Sequence, residues 1–332
     1  MIRLDVDKHW YGARPSFLVF SLLPLSLLFG LVVSVRRKLY RAGFRKIYQA
    51  PVPVIVVGNI TTGGTGKTPL VLWLVELLRK QGWRPGIVSR GFGGKKNLLA
   101  KQVNAASDPV LLGDEAVLLA KRAGCPVVVS RKRVAAVKKL LAESDCNIII
   151  SDDGLQHYSL GRQIEIALID GERRFGNQSL LPAGPLREPV TRLATVDFVV
   201  TQGNAVSGEY AMQLEGDEFV NVSDMQLKKL AREFKQQTVH AMAGIGNPER
   251  FFAYLRKLGF KIIPHAFTDH YYYKARDLDF GDDLPVVMTE KDAVKCVGLA
   301  HEKYWYLPVT AALDPAFEKG FLKKIEELKC VF

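Results

Sequence analysis

The chain has 332 residues, 48% hydrophobic and 24% charged, with a formal net charge of +12. That length exceeds what one hydrophobic core usually organises, and no solenoid-period repeat or low-complexity tract appears. Four cysteines, at 125, 146, 296 and 330, are too dispersed for a metal knuckle and too few for a disulfide framework, so they read as reduced, cytosolic thiols.

A charge of +12 alone suggests nucleic acid or an anionic membrane, and its location decides between them. Residues 1–50 hold nine Lys/Arg against Asp5 and Asp7, and six of the nine lie between Arg36 and Lys46. They bracket an uncharged stretch, Phe17 to Val35, which as a helix would be about 28 Å long, near the hydrocarbon thickness of a bilayer. A cleaved signal peptide is disfavoured because the run leads directly into Arg36-Arg37-Lys38 without a small-residue cleavage site. A spanning anchor and a helix lying in one leaflet both remain, with a buried core helix as the alternative. The basic residues place the downstream chain on the cytoplasmic side and against anionic head groups. With the charge gathered there, and not along an aromatic-studded groove, a nucleic-acid partner is not expected.

Val52 to Val57 reads as a buried strand and Leu70 to Lys80 as an amphipathic helix. Between them stands Gly58-Asn59-Ile60-Thr61-Thr62-Gly63-Gly64-Thr65-Gly66-Lys67-Thr68-Pro69, in the strand, glycine loop and helix order of a phosphate-binding P-loop. Glycines 63, 64 and 66 let successive N–H groups face phosphates, Lys67 adds a point charge, and the Thr68 hydroxyl is placed for Mg²⁺. The usual pattern wants glycine where Thr61 stands, so its first position is unmatched.

Aliphatic runs alternate with helical patterns from Val52 to about Val200, the rhythm of a mostly parallel sheet flanked by helices. Arg90 follows the strand Pro85 to Ser89. Gly113-Asp114-Glu115 opens a helix through Arg122, where the acids either favour the helix dipole or do chemistry. Asn147 to Ser151 is a strand ending in Asp152-Asp153-Gly154, the position from which P-loop proteins orient Mg²⁺ or its waters. His157 and His270 follow aspartates, yet the spacing does not show that any Asp and His meet, and Tyr271 to Tyr273 reads equally as a cross-strand aromatic patch. After the strand Asp197 to Thr201, a smaller α/β lobe is expected, with a strand-to-helix passage at Thr238 to Pro248 and a capping run Thr289-x-x-Asp292.

The expected fold is a P-loop NTPase-like α/β sheet, mostly parallel and flanked by helices, with a smaller C-terminal α/β lobe and an N-terminal membrane-associated helix. The expected divisions are 1–50, 51–204 and 205–332. A GTPase switch is disfavoured because Thr201-Gln202-Gly203-Asn204 stands where Asn-Lys-x-Asp would. A partitioning ATPase is disfavoured because Thr62 occupies its second-lysine position, and a transport or switching ATPase of another kind is the remaining alternative.

Taken together, the loop at 58–69, Ser89-Arg90-Gly91-Phe92-Gly93-Gly94, Gly113-Asp114-Glu115, Asp152-Asp153-Gly154-Leu155-Gln156-His157, the run Leu181 to Pro189, Asp269-His270 and Thr289 to Lys295 resemble the tetraacyldisaccharide 4′-kinase family. Phe92 and Thr201 depart from the residues expected there, Tyr and Asn. The resemblance implies transfer of the γ-phosphoryl of ATP to the 4′-hydroxyl of an acylated glucosamine disaccharide 1-phosphate at the cytoplasmic face of the inner membrane, in lipid A biosynthesis. It implies ATP and Mg²⁺, an anionic membrane surface, and no obligate protein partner. Carried over, Thr61, Thr62, Gly63, Gly64, Thr65, Gly66, Lys67 and Thr68 would hold the ATP phosphates, with Lys67 on the transferring group. Thr68, Glu115, Asp152 and Asp153 would form the metal side, and Asp114 would be the general base with His270 its partner. Arg90 and Arg187 are expected at substrate phosphate or transition-state charge.

Overall fold

A computed structural model describes residues 6–12, 17–94, 99–234, 238–299 and 301–331. Helices α1 (Val6–Tyr11) and α2 (Phe17–Arg41) precede a core that opens with β1 (Val54–Gly58), α3 (Lys67–Lys80), β2 (Pro85–Ser89) and β3 (Lys101–Val103). It continues through α4 (Pro109–Leu112), α5 (Asp114–Arg122), β4 (Val127–Val129), α6 (Arg133–Glu143), β5 (Ile148–Asp152), β6 (Ile164–Asp170), β7 (Phe198–Gln202) and β8 (Tyr210–Glu215). Then come β9 (Glu218–Asn221), β10 (Lys228–Leu230), β11 (Thr238–Ala243), α7 (Pro248–Lys257), β12 (Lys261–Ala266), β13 (Val286–Thr289), α8 (Glu290–Cys296), β14 (Tyr304–Leu307), β15 (Thr310–Leu313) and α9 (Pro315–Lys329).

Among the described residues the strands form two sheets. The first has nine strands in the order β15-β8-β7-β6-β1-β5-β2-β4-β3, parallel throughout its middle, with antiparallel β15 and β3 at its edges. All five residues of β1 are buried, because both faces of the sheet are covered. Ile55 and Val57 join a core built with α3, α5 and α9, where Phe317, Phe321 and Ile325 come from the last helix. Val54 and Val56 point the other way, into a core with Ala136, Val137 and Leu140 of α6. Successive residues of one strand therefore anchor opposite layers, as the two-residue side-chain period requires.

The second sheet has six strands, β10-β9-β14-β13-β11-β12. Phe251, Phe252 and Leu255 of α7 cover one face, and Ala293 and Cys296 of α8 join Met242 and Met288 on the other. A smaller α/β lobe was expected from residue 205, but the chain divides differently in space. β8, β15 and α9 belong to the first sheet, so the chain leaves that sheet after β8 and returns through β15. Antiparallel pairing of β8 with β15, from Glu215↔Thr310 to Met212↔Leu313, makes the return strand part of the larger lobe. Tyr271 to Tyr273 form no strand either: in a loop, Tyr273 packs edge to face with Tyr271 and Phe267, and Tyr271 packs at a tilt on Phe267.

α2 runs six residues beyond the apolar stretch and is long and apolar enough to cross a membrane, with 11% of its most apolar window buried. Phe17, Leu27 and Leu31 stand exposed. It touches the core along one narrow line, where the Ser26 hydroxyl donates to the Leu180 carbonyl (2.7 Å) and the Arg37 guanidinium to Thr195 Oγ1 (2.7 Å).

Candidate active site

The loop after β1 is held open from below and from the side. Gly63 and Gly66 adopt φ of 97° and 82°, the left-handed region that favours glycine. Gly66 is the N-cap of α3 and offers no side chain, so the first N–H groups of that helix stay free for an anion. The other wall is the 181–189 run: Thr62 N–H donates to Pro185 O (2.8 Å) and Arg187 N–H to Ile60 O (2.7 Å), while Thr61 bridges to Leu186. Thr61 is thereby buried and built into the wall, a position that glycine usually fills in this motif. Gly246 of the second lobe rests on Gly64, and a β-carbon there would come within 2.4 Å of the Gly64 nitrogen.

Lys67 Nζ sits between Asn59 Oδ1 (3.2 Å) and Asp153 Oδ1 (3.4 Å). Arg187 Nη1 lies 3.1 Å from both oxygens of Asp153. Burial opposes its charge, yet Lys67, Arg187 and Arg133 pull the Asp153 carboxyl far below the usual carboxylate range. Asp152 behaves oppositely: burial, then repulsion from Glu115, pushes it up to about 6 against the pull of Lys67. Ser89 Oγ donates to Asp152 Oδ2 (2.9 Å), and the buried Arg133 guanidinium donates to the Asp152 and Asp153 carbonyls. Neighbouring carboxylates with such different environments are ready for different work.

Asp114 and Glu115 form the first turn of α5, after Gly113 with φ of 95°. Asp114 meets His270 across 156 residues of sequence, with His270 Nδ1 at 2.9 Å and 3.0 Å from the two carboxylate oxygens. His270 itself has φ of 59°, and its ring stacks at a tilt on Phe92 with centroids 4.9 Å apart. Burial works against ionisation of Asp114, but the His270 hydrogen bond and the charges of Lys291 and Lys295 hold it below its ordinary value. Glu115 is held down likewise, burial being outweighed by Lys291 and Lys67.

Lys291 ties the lobes together, with Nζ at 3.0 Å from Glu115 Oε1 and 2.9 Å from Asp269 Oδ1. Lys295, 4% exposed, lies 3.9 Å from Asp114 and 2.7 Å from Asp292. Arg90 is exposed beside Gly91 to Gly94, lining a cavity of about 120 Å³ with Ser130 and Arg131. Burial, then Arg133, lowers His157 to about 3, which keeps it neutral.

The structure therefore gathers Lys67, Asp114, Glu115, Asp152, Asp153, Arg187 and His270 into one cleft between the lobes. Sequence reasoning quoted Asn59 and Ser89 inside motifs without giving them a role, and it missed Arg133, a single polar residue with no pattern of its own. It took Thr289-x-x-Asp292 as a cap, which it is, since Thr289 Oγ1 accepts from Asp292 N–H (3.2 Å). The role of Lys291, inside that same run, was hidden by it.

The family model described as LpxK, tetraacyldisaccharide-1-P 4′-kinase, matches residues 18–326. The chain belongs to that family. Its relatives include a tetraacyldisaccharide 4′-kinase of Nitrosococcus oceani, 52% identical over 96% of this chain and 94% of the relative. Another, of Coxiella burnetii, is 48% identical over 98% of this chain and 96% of that one. Among solved structures, a crystal structure of LpxK from Aquifex aeolicus in complex with ATP matches with a TM-score of 0.78 and 30% identity, covering 94% of this chain and 99% of the other. The kinase family accounts for the order of the motifs, and the cleft accounts for their separation along the chain.

Proposed function

We propose that this chain transfers the γ-phosphoryl of ATP to the 4′-hydroxyl of an acylated glucosamine disaccharide 1-phosphate, at a membrane surface that α2 enters. The observation that carries the reading is the Asp114–His270 pair standing in the same cleft as the uncapped start of α3 and Lys67. The free N–H groups from Gly63 to Thr68 receive the phosphates, and Lys67 moves from Asp153 to the transferring group. A sugar hydroxyl is barely acidic, so neutralising charge on the phosphoryl is the larger effect and proton removal the smaller.

Asp114 takes that proton. It is ionised at neutral pH, and His270 orients its carboxylate while Lys295 steadies it from behind. Arg187, whose Nη1 already reaches both oxygens of Asp153, and Arg90 at the cleft rim offer planar donors to phosphate oxygens.

The oxygen donors here suit Mg²⁺: Asp152, pushed up to about 6 by burial and then by Glu115, stands with Glu115 and Asp153 as a set of carboxylates that a hard cation would neutralise. Thr68, Asp152, Asp153 and Glu115 are the residues that would hold it, directly or through water. Among the described residues no group of three or more His, Cys, Asp or Glu side chains is placed to hold a metal ion by itself, so waters and phosphate oxygens would have to complete its shell. When bound, it supplies neutralisation of phosphate charge.

The apolar exposed face of α2 suits a substrate whose acyl chains stay in the leaflet while its sugar reaches the cleft. The test is transfer of γ-labelled phosphate from Mg-ATP to a detergent-dispersed acylated glucosamine disaccharide 1-phosphate. Label should appear in the lipid and vanish with Lys67→Ala. ATP turnover without labelled lipid would overturn the acceptor.

A further inference from the structure

A second cavity, of about 290 Å³, opens where the last turn of α2 meets the core, and the phosphoryl-transfer reading leaves it unused. It lies near the start of β6, whereas the phosphate loop follows the end of β1, which runs parallel to β6. The two sites therefore lie at opposite ends of the parallel strands of the first sheet.

Four arginines from three segments line this cavity: Arg37 and Arg41 one turn apart on α2, Arg162 before β6, and Arg192 from the short helix Val190–Thr195. Glu165 serves two of them, at 3.0 Å from Arg162 Nη1 and 2.6 Å from Arg192 Nη2. Thr195 Oγ1 accepts from both Arg192 (2.6 Å) and Arg37 (2.7 Å). Glu188 is the other nearby acid, at 3.8 Å from Arg192 Nε and 1% exposed. Among the described residues no carboxylate pairs with Arg37 or Arg41, so the cavity carries an excess of guanidinium charge. Arg36 and Arg162 also lie over the Tyr158 ring, which stiffens one wall.

The depth of this cluster is set by the helix. The exposed apolar residues of α2 run from Phe17 to Val35, and Arg37 and Arg41 follow within two turns, at the border where that apolar face ends. With the exposed residues Phe20 to Val35 in the hydrocarbon, Arg37 and Arg41 stand at the level of lipid phosphates. A guanidinium pair backed by two fixed arginines matches the planar, bidentate demand of a phosphate better than mobile lysines do.

We propose that this cavity is a headgroup site for one anionic phospholipid, whose phosphate is taken by Arg37 and Arg41 against the wall of Arg162 and Arg192. The proposal rests on the reading that α2 lies in the membrane. It differs from a general basic surface in requiring guanidinium geometry, and not charge alone.

The test is flotation of the full-length protein with vesicles of phosphatidylcholine, with and without phosphatidylglycerol. The variants are Arg37→Lys/Arg41→Lys, which keeps net charge, and Arg45→Lys, outside the cavity lining. The double variant should partition about fivefold more weakly onto the anionic vesicles, with Arg45→Lys and the neutral vesicles unchanged. Equal partition of the double variant and the parent would overturn the proposal while leaving membrane association intact. Failure of the parent to float on either vesicle would overturn the membrane reading and the proposal with it. Thermal stabilisation of the parent, but not of the double variant, by inorganic phosphate and not by anionic vesicles would assign the site to free phosphate instead.

Discussion

Two helices in this molecule start in the same way, at the C-terminal end of a buried parallel strand, and end up with opposite uses. α3 begins after a glycine loop with no side-chain cap, so its first N–H groups remain unsatisfied. α8 begins directly at Thr289, whose hydroxyl accepts from Asp292 N–H and closes the turn on itself. An uncapped helix start costs stability unless something occupies it, and in the proposed reaction that partner is a phosphate of ATP. α8, being closed, is free to send Lys291 across the cleft to Glu115. One lobe supplies an open anion cradle; the other supplies fixed charges that order the acids beside it.

The largest expected effect breaks the open side. Lys67→Ala should lower phosphoryl transfer by about 10³- to 10⁵-fold, the scale of a charge on the transferring group, measured as label in lipid. Next is the group that crosses between the lobes: Asp114→Asn should reduce turnover by about 10²- to 10⁴-fold, with ATP affinity changed less than about twofold. Weakened ATP binding with unchanged turnover would remove Asp114 from the role of base.

Two smaller effects sharpen the closed side. Lys291→Met removes the ammonium that Glu115 and Asp269 share in a half-buried site, so thermal or denaturant unfolding should show a loss of about 2 kcal/mol. Thr289→Val removes the cap from α8 and should cost about 1 kcal/mol, with ATP binding at the start of α3 unaffected. If ATP binding fell as much as stability, the two helix starts would not be independent.

A pH effect separates the electrostatics behind the open cradle from its chemistry. His157 titrates near 6.5 when unfolded and is lowered to about 3 by burial and Arg133 when folded. Between those values the unfolded chain binds more protons, so stability falls as pH drops from about 6.5 towards 3. His157 is partly exposed, so the expected loss is below about 2 kcal/mol. His157→Gln should flatten that acid limb in pH-dependent unfolding, and an unchanged slope would place its cause elsewhere.

What the residues alone determined were the features written locally. The spacing of Gly63, Gly64, Gly66, Lys67 and Thr68 between a β-branched run and an amphipathic helix specifies a phosphate loop, because backbone angles and helix ends are local properties. The strand ending in Asp152-Asp153 and the apolar run of α2 were legible for the same reason. The pairing of Asp114 with His270 was implied by the family resemblance and not by spacing, while the tertiary structure alone decided that Lys291 bridges Glu115 and Asp269 and that Asn59, Ser89 and Arg133 support the aspartates. It also decided that β15 and α9 return to the first sheet, although they follow the second in sequence. Those outcomes depend on strand pairing and on side chains from distant segments converging in a cleft, where burial and neighbouring charge, and not residue type, set how each carboxylate behaves.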